Sequence, residues 1–249
     1  MNPTTIYFLQ VVLNWSHVLA PAVPVALVAT RATHPQKRTL LWLASALFLL
    51  DMACVLSPRL PFIPAGWNWQ GKALECIWVF AFVATGYAGS FPDFGFRWRL
   101  ASGSARPLLI ATALALCFPI WGLLVAGFRM PTDTETILFE MSLPGLAEEL
   151  VFRGVFQSLL NQVFGRPWEL LGAQVGWGYV ITTLLFTVGH GLFVNSSLHV
   201  QTSVFAMLPA LYAGLILGWM RERGESLGPC VLVHNAIDTL IVVGSLLLP

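Results

Sequence analysis

The sequence predicts an all-α polytopic membrane protein, with about eight transmembrane helices around a polar intramembrane catalytic cavity. Hydrophobic residues make up 57% of the 249 residues and charged residues only 10%, whereas a soluble domain has about 25% charged residues. The mean hydropathy is +0.74. Apolar runs of membrane-spanning length recur between short loops rich in proline and glycine, and some runs contain ionisable residues. Such residues are rare at membrane depth and usually mark function.

Eight apolar runs are close to the roughly 20 residues that a helix needs to cross the hydrocarbon layer. Pro21 and Pro24 are expected to kink the first run. The sequence shows no internal repeat and no long linker, which favours a single membrane domain over residues 1–249, with N-terminal helices in 1–130. The predicted spans are 5–29, 39–57, 73–91, 107–128, 138–162, 171–193, 201–220 and 226–248.

The charges of the chain indicate a membrane partner and no nucleic-acid partner, since the net charge is only +1. Nine of the 13 Lys and Arg residues lie in loops after the odd-numbered spans, and three (Arg59, Lys72 and Arg129) lie in the other loops. The positive-inside rule therefore puts both termini outside. Short loops favour a bacterial inner membrane. The four cysteines form no CxxC pair and are predicted to be buried apolar residues.

The most informative stretch runs from Pro144 to Arg153, where two adjacent carboxylates and a guanidinium interrupt an apolar helical run. Glu149 and Arg153 are four residues apart with the acid first, the favourable order for an ion pair. Glu148 points about 100° away from Glu149. These spacings predict that Glu149 supports Arg153 and that Glu148 is the chemical group. A purely structural ion network is the alternative interpretation.

Two later spans also contain ionisable residues. His190 ends the sequence Phe186-Thr-Val-Gly-His190, and His234 and Asp238 share one helix face because they are four residues apart. Isolated in apolar spans, these groups would be costly, so we expect them to meet Glu148 in one cavity. Three other ionisable residues are expected to be structural: His17 through a local hydrogen bond, Asp51 and Glu75 as lone acids.

This combination of groups points to hydrolysis. A carboxylate can take a proton from water and pass it to a leaving amine. Imidazoles can bind a divalent metal, or orient the water and stabilise an oxyanion. No serine or cysteine stands out as a nucleophile in these motifs, which indicates an attacking water. The His-Glu-x-x-His element of many zinc proteases is also missing from the sequence.

Together the three motifs resemble the type II CaaX-prenyl endopeptidase family, also called the CaaX protease and bacteriocin-processing family, which includes the Ras-converting enzyme. The family motifs are Glu-Glu with Arg four residues after the second Glu, Phe-x-x-x-His, and His-x-x-x-Asn or Asp. All three occur here in that order, and the resemblance covers about 138–245. It implies an eight-helix intramembrane endopeptidase. In it, Glu148 activates water, His190 holds the water, His234 and Asp238 stabilise the oxyanion or bind metal, and Glu149 and Arg153 support the site.

Asp238 leaves part of this mechanism open. An ionised Asp cannot donate a hydrogen bond to an oxyanion as Asn can, so it must be protonated, orient His234 or bind a cation. We favour orientation of His234, with metal binding next. The family has been described both with and without a metal, so Zn²⁺ held by His190, His234, Asp238 and Glu148 is an open expectation.

The implied substrate is a membrane-associated peptide or protein, or a C-terminal-tail peptide. Two other classes of protein compete with this reading. A non-catalytic relative of the fold, serving in bacteriocin immunity or as a scaffold, would retain the helices without the reaction. A proton-coupled carrier could use intramembrane Glu and His as a relay, but it would not need these three spacings, and no inverted repeat is visible.

Overall fold

The computed structural model describes residues 2–19, 35–59 and 62–248, and these are mostly helical. The helices are α1 Pro3–Leu19, α2 Pro35–Val55, α3 Trp69–Ala84, α4 Ala105–Leu124, α5 Thr134–Glu140, α6 Leu143–Glu149, α7 Gln157–Phe164, α8 Trp177–Gly191, α9 Val204–Gly224 and α10 Gly228–Leu247. A π-helical segment, Leu150–Phe156, joins α6 to α7, and short 3₁₀ turns cover Ser57–Arg59 and Phe91–Phe94. Two antiparallel hairpins pair β1 Trp168–Leu170 with β2 Ala173–Val175, and β3 Leu192–Val194 with β4 Val200–Thr202.

Four described helices, α2, α4, α9 and α10, are long and apolar enough to cross a membrane. The predicted helical class is therefore confirmed, but the count of eight spans is not. The predicted fifth span is divided among α5, α6, the π segment and α7. The predicted sixth span begins in the hairpin β1–β2, which leaves α8 with only 15 residues. Pro21 and Pro24, expected to kink the first span, lie outside the described residues.

The fifth span breaks between α5 and α6, and the two glutamates are the last two residues of α6. Pro144 occupies the first turn of α6, where a missing backbone N–H costs nothing. Asn235 of α10 fills the break: its Nδ2 donates to the Ser142 carbonyl at 3.1 Å, and its Oδ1 accepts from the Gly145 N–H at 3.0 Å. A Cβ at Gly145 would lie 2.8 Å from the Asn235 backbone nitrogen. Glycine therefore allows α10 to approach the start of α6 closely.

Helix α6 packs against both α3 and α10, while α8 packs against α7 and α9. The main apolar core joins α2, α3, the π segment, α7 and α8, and a second core joins α4, α9 and α10. Glu222 of α9 fastens α7 to α9, because its Oε1 accepts from Gln157 Nε2 and from Asn161 Nδ2, each at 2.6 Å. These contacts hold the helices that carry the candidate site.

Helix α1 secures the chain just after α8. The Val194 N–H donates to Asn14 Oδ1, and the Val194 carbonyl accepts from Gln10 Nε2, each at 2.9 Å. His17 makes the predicted local contact, with its Nδ1 2.7 Å from the Leu13 carbonyl oxygen.

All four cysteines are free, as expected, but Cys117 is exposed on α4, so the prediction that every cysteine is buried is wrong.

Candidate active site

Glu149 is the fully buried centre of the site, and each of its two oxygens has a different partner. Its Oε2 lies 3.3 Å from Arg153 Nε, so the ion pair predicted from the four-residue spacing is present. Its Oε1 lies 2.8 Å from His234 Nδ1 across the α6–α10 interface. Both the carboxylate and the guanidinium are almost completely shielded from solvent. Glu149 therefore supports Arg153 and also orients His234, which the sequence alone did not predict.

Arg153 lies within the π segment, a helix distortion that is frequent at functional sites. Its guanidinium carbon is 4.2 Å from the ring centroid of Phe186, a cation–π geometry. The same Phe186 ring lies 4.3 Å from the His190 ring, centroid to centroid. Phe186, the phenylalanine of the Phe-x-x-x-His motif, therefore covers the buried guanidinium of Arg153 and also contacts His190 on the same helix, α8.

Glu148 meets histidines from two other helices, as the three motifs predicted. Its Oε2 is 3.5 Å from His190 Nε2 and 3.9 Å from His234 Nε2. This oxygen is buried and has no hydrogen-bond partner within the described part of the chain. An unpartnered buried acceptor is costly unless a water or another polar group completes it. The arrangement thus leaves a polar position between one carboxylate oxygen and two imidazole nitrogens.

Both imidazoles present Nε2 to Glu148 because their Nδ1 atoms are bonded elsewhere. His190 Nδ1 lies 2.7 Å from the Phe186 carbonyl oxygen, which only accepts, so Nδ1 carries the proton. His234 Nδ1 donates in the same way to the Glu149 carboxylate. In a neutral ring the Nε2 atom is then an acceptor, and in a charged ring it is a donor. Each Nε2 can therefore contact a water molecule that Glu148 also contacts.

Asp238 lies beside His234, one helical turn further along α10. Its Oδ2 is 3.6 Å from His234 Nε2, the nitrogen that faces Glu148. Glu149 binds the opposite nitrogen, so both carboxylates lie beside the His234 ring, and the orienting role of Asp238 stays a prediction. The carboxyl group of Asp238 is partly exposed, at 21% of its side chain. Asp238 therefore lies at the accessible edge of the site.

Lys72 is the site residue that the sequence reasoning missed. Its Nζ lies 3.0 Å from Glu148 Oε1, and its side chain is only 11% exposed. The charge count assigned Lys72 to a loop, whereas it lies in the first turn of α3. Glu75, predicted to be a lone acid, is 3.0 Å from the same ammonium group. The three-residue spacing of Lys72 and Glu75 was a signal for this pair, but nothing local pointed to Glu148.

Zn²⁺ held by His190, His234, Asp238 and Glu148 stays an expectation from the resemblance. Among residues 2–19, 35–59 and 62–248, no group of three or more His, Cys, Asp or Glu side chains is placed to hold a metal ion. The Lys72 ammonium group also contacts Glu148 directly, at 3.0 Å. Its positive charge would repel a divalent cation bound to the same carboxylate. The groups His190, His234, Asp238 and Glu148 are therefore interpreted below without a metal.

Comparison with known proteins gives one match, over residues 130–240, to the family model described as type II CAAX prenyl endopeptidase Rce1-like. This segment is similar to the Rce1-like family. No curated protein and no solved structure matches the chain. The Rce1-like segment extends from just before α5 into α10, and it contains Glu148, Glu149, Arg153, His190, His234 and Asp238. Lys72 lies outside it. The four apolar helices and the Rce1-like match together indicate a multi-pass membrane protein.

Proposed function

We propose that this protein is an intramembrane endopeptidase in which Glu148 activates a water molecule to hydrolyse a peptide bond. The observation that carries the proposal is the buried Glu148 Oε2, which has no hydrogen-bond partner in the described chain and faces the Nε2 atoms of His190 and His234. A water at this position would touch a base and two imidazoles at once. The Rce1-like segment supports the same reaction class.

The proposed reaction needs only these groups and water. Glu148 takes a proton from the water as the water oxygen attacks the carbonyl carbon, and the carbonyl electron pair moves onto oxygen. An imidazolium at His234 can donate its Nε2–H to that oxyanion, while His190 holds the attacking water. The C–N bond then breaks, and protonated Glu148 passes its proton to the leaving amine. The products are a carboxylic acid and an amine.

The substrate we propose is the C-terminal tail of a membrane-associated peptide or protein, in keeping with the family's name. His190 and Asp238 are the most accessible groups of the site, with side chains 39% and 21% exposed. A peptide would therefore approach from their side, reaching Glu148 last. The short loops of the chain keep the bacterial inner membrane as our expected location.

The test is cleavage of a pool of farnesylated C-terminal peptides by the purified protein in lipid nanodiscs, read by mass spectrometry. Glu148→Gln should lower the rate about 10²–10⁴-fold, the usual contribution of a positioned acid–base group. His190→Ala should lower the rate as well and should keep the wild-type melting temperature. Glu148→Gln also removes one partner of the buried Lys72 ammonium group, so its rate is compared per folded molecule. Glu225→Gln is the matched control, because Glu225 is an exposed partner of Arg97.

Wild-type cleavage by Glu148→Gln would overturn the proposal. A folded wild-type protein that cleaves no member of the pool would favour the alternative, a non-catalytic member of the fold that acts in bacteriocin immunity or as a scaffold. The alternative also predicts that Glu148→Gln and Glu225→Gln behave identically in the cleavage assay.

A further inference from the structure

Lys72 is held in place by contacts at the junction of α2 and α3. Asn68 caps α3: its Oδ1 accepts from the Gly71 N–H at 2.9 Å, and its Nδ2 donates to the Val55 carbonyl at 2.9 Å. Gly71 lies so close to α2 that a Cβ would be 2.6 Å from the Cys54 carbonyl oxygen. The turn that carries Lys72 is therefore fixed against the end of α2.

The same turn is also tied to the start of α5. Glu135 Oε1 accepts from the backbone N–H of Gly66 at 2.9 Å and of Trp67 at 3.1 Å, and from Trp69 Nε1 at 3.1 Å. Helix α5 leads directly into α6, which carries Glu148. The segment that presents the lysine and the segment that presents the glutamate are thus held together at one end of the site.

The ammonium group of Lys72 bridges two carboxylates. It lies 3.0 Å from Glu75 Oε2 and 3.0 Å from Glu148 Oε1. Glu75 is almost fully buried. Asp51 of α2 is also almost fully buried, and it lies close enough to interact electrostatically with Lys72. A buried lysine among several carboxylates has little freedom to turn away, because an unpaired buried ammonium is costly. The contact with Glu148 is therefore a persistent feature of the packing.

We propose that Lys72 is a positioning residue for Glu148: it binds Oε1 and thereby aims Oε2 at the Nε2 atoms of His190 and His234. The inference rests on the proposed function of Glu148. It extends that function by making the N-terminal half of the chain, outside the Rce1-like segment, part of the working site. Without the ammonium group, the carboxylate is free to rotate and to approach either imidazole directly.

The chain contains two lysines, Lys37 and Lys72, which provides a matched control. In the same peptide-cleavage assay, Lys72→Met should lower kcat about 10–100-fold, equivalent to losing one charge-assisted hydrogen bond, while KM stays unchanged. Lys72→Arg should recover a large part of kcat, because the charge is retained. Lys37→Met should behave as wild type. A merely structural role would lower the yield and the melting temperature of Lys72→Met, but not kcat per folded molecule.

A second measurement does not depend on activity. Protein labelled with ¹⁵N only at the lysine side chains should give two signals, and the Lys37→Met variant assigns the one that belongs to Lys72. Glu148→Gln should shift the Lys72 signal and leave the Lys37 signal in place. An unchanged Lys72 signal, or wild-type kcat in Lys72→Met, would overturn the positioning role. If Glu148→Gln itself cleaves normally, the proposed function has failed, and the lysine signals still report whether the contact exists.

Discussion

Replacing Glu149 with alanine should destabilise the protein severely, because this carboxylate is the anion of a buried guanidinium. Glu149 is 0% exposed and Arg153 1% exposed. The two terminal nitrogens of Arg153 make no hydrogen bond within the described residues. The ion pair between Arg153 Nε and Glu149 is therefore the main polar contact that offsets the cost of burying the guanidinium. Removing one partner of a buried ion pair costs about 3–5 kcal/mol. At about 2–4 °C per kcal/mol for a chain of this size, the melting temperature should fall by about 6–20 °C.

The assay is thermal unfolding of purified Glu149→Ala in detergent, followed by intrinsic tryptophan fluorescence. The matched control is Glu225→Ala, which breaks an exposed ion pair with Arg97, with side chains 54% and 41% exposed. Such surface pairs contribute about 0–1 kcal/mol. Glu149→Gln keeps the shape of the side chain and an acceptor for His234, so its melting temperature should lie between those of Glu149→Ala and Glu225→Ala. Equal melting temperatures for Glu149→Ala and Glu225→Ala would refute the argument that the buried charge is compensated by Glu149.

Two further predictions use the packing around the site, and a third uses the proposed reaction. Gly145→Ala should cost about 1–3 kcal/mol of stability, because the added Cβ would lie 2.8 Å from the backbone nitrogen of Asn235; a melting temperature at or above wild type would contradict this. Gly189→Ala should instead stabilise α8 by up to about 1 kcal/mol, since nothing lies within 4 Å of the new Cβ and alanine favours helix; thermal unfolding measures both changes. Incubation with a chelator should leave cleavage unchanged, because the proposed reaction uses no metal, whereas loss of cleavage that zinc restores would establish a metal.

The contacts within one helix were accessible from the sequence. The four-residue spacing of Glu149 and Arg153 fixes both side chains on one face, so their ion pair follows from helix geometry even though the chain turns into a π segment there. The meeting of Glu148 with His190 and His234 was also predictable, because ionisable groups in separate apolar segments must compensate one another.

The missed features depend on how neighbouring helices pack, which no local pattern encodes. The break before α6 is completed by hydrogen bonds from Asn235, which lies 90 or more residues away in the sequence. The hairpin β1–β2 occupies residues whose apolar character resembled the start of a span. Lys72 lies one residue outside the predicted third span, and its contact with Glu148 joins positions 76 residues apart in the chain.

The two adjacent glutamates show why neighbours in sequence acquire different roles. Each carboxylate has one oxygen beside a cation and the other facing a histidine. Glu149 contacts Arg153 with one oxygen and His234 Nδ1 with the other. Glu148 contacts Lys72 with one oxygen, and its other oxygen faces His234 Nε2 without contacting it. His234 therefore has one glutamate on each ring nitrogen. The 2.8 Å contact at Nδ1 is a hydrogen bond, whereas the 3.9 Å separation at Nε2 is too long for one. The difference in these two distances separates the residue that fixes the imidazole from the residue that has room to bind water.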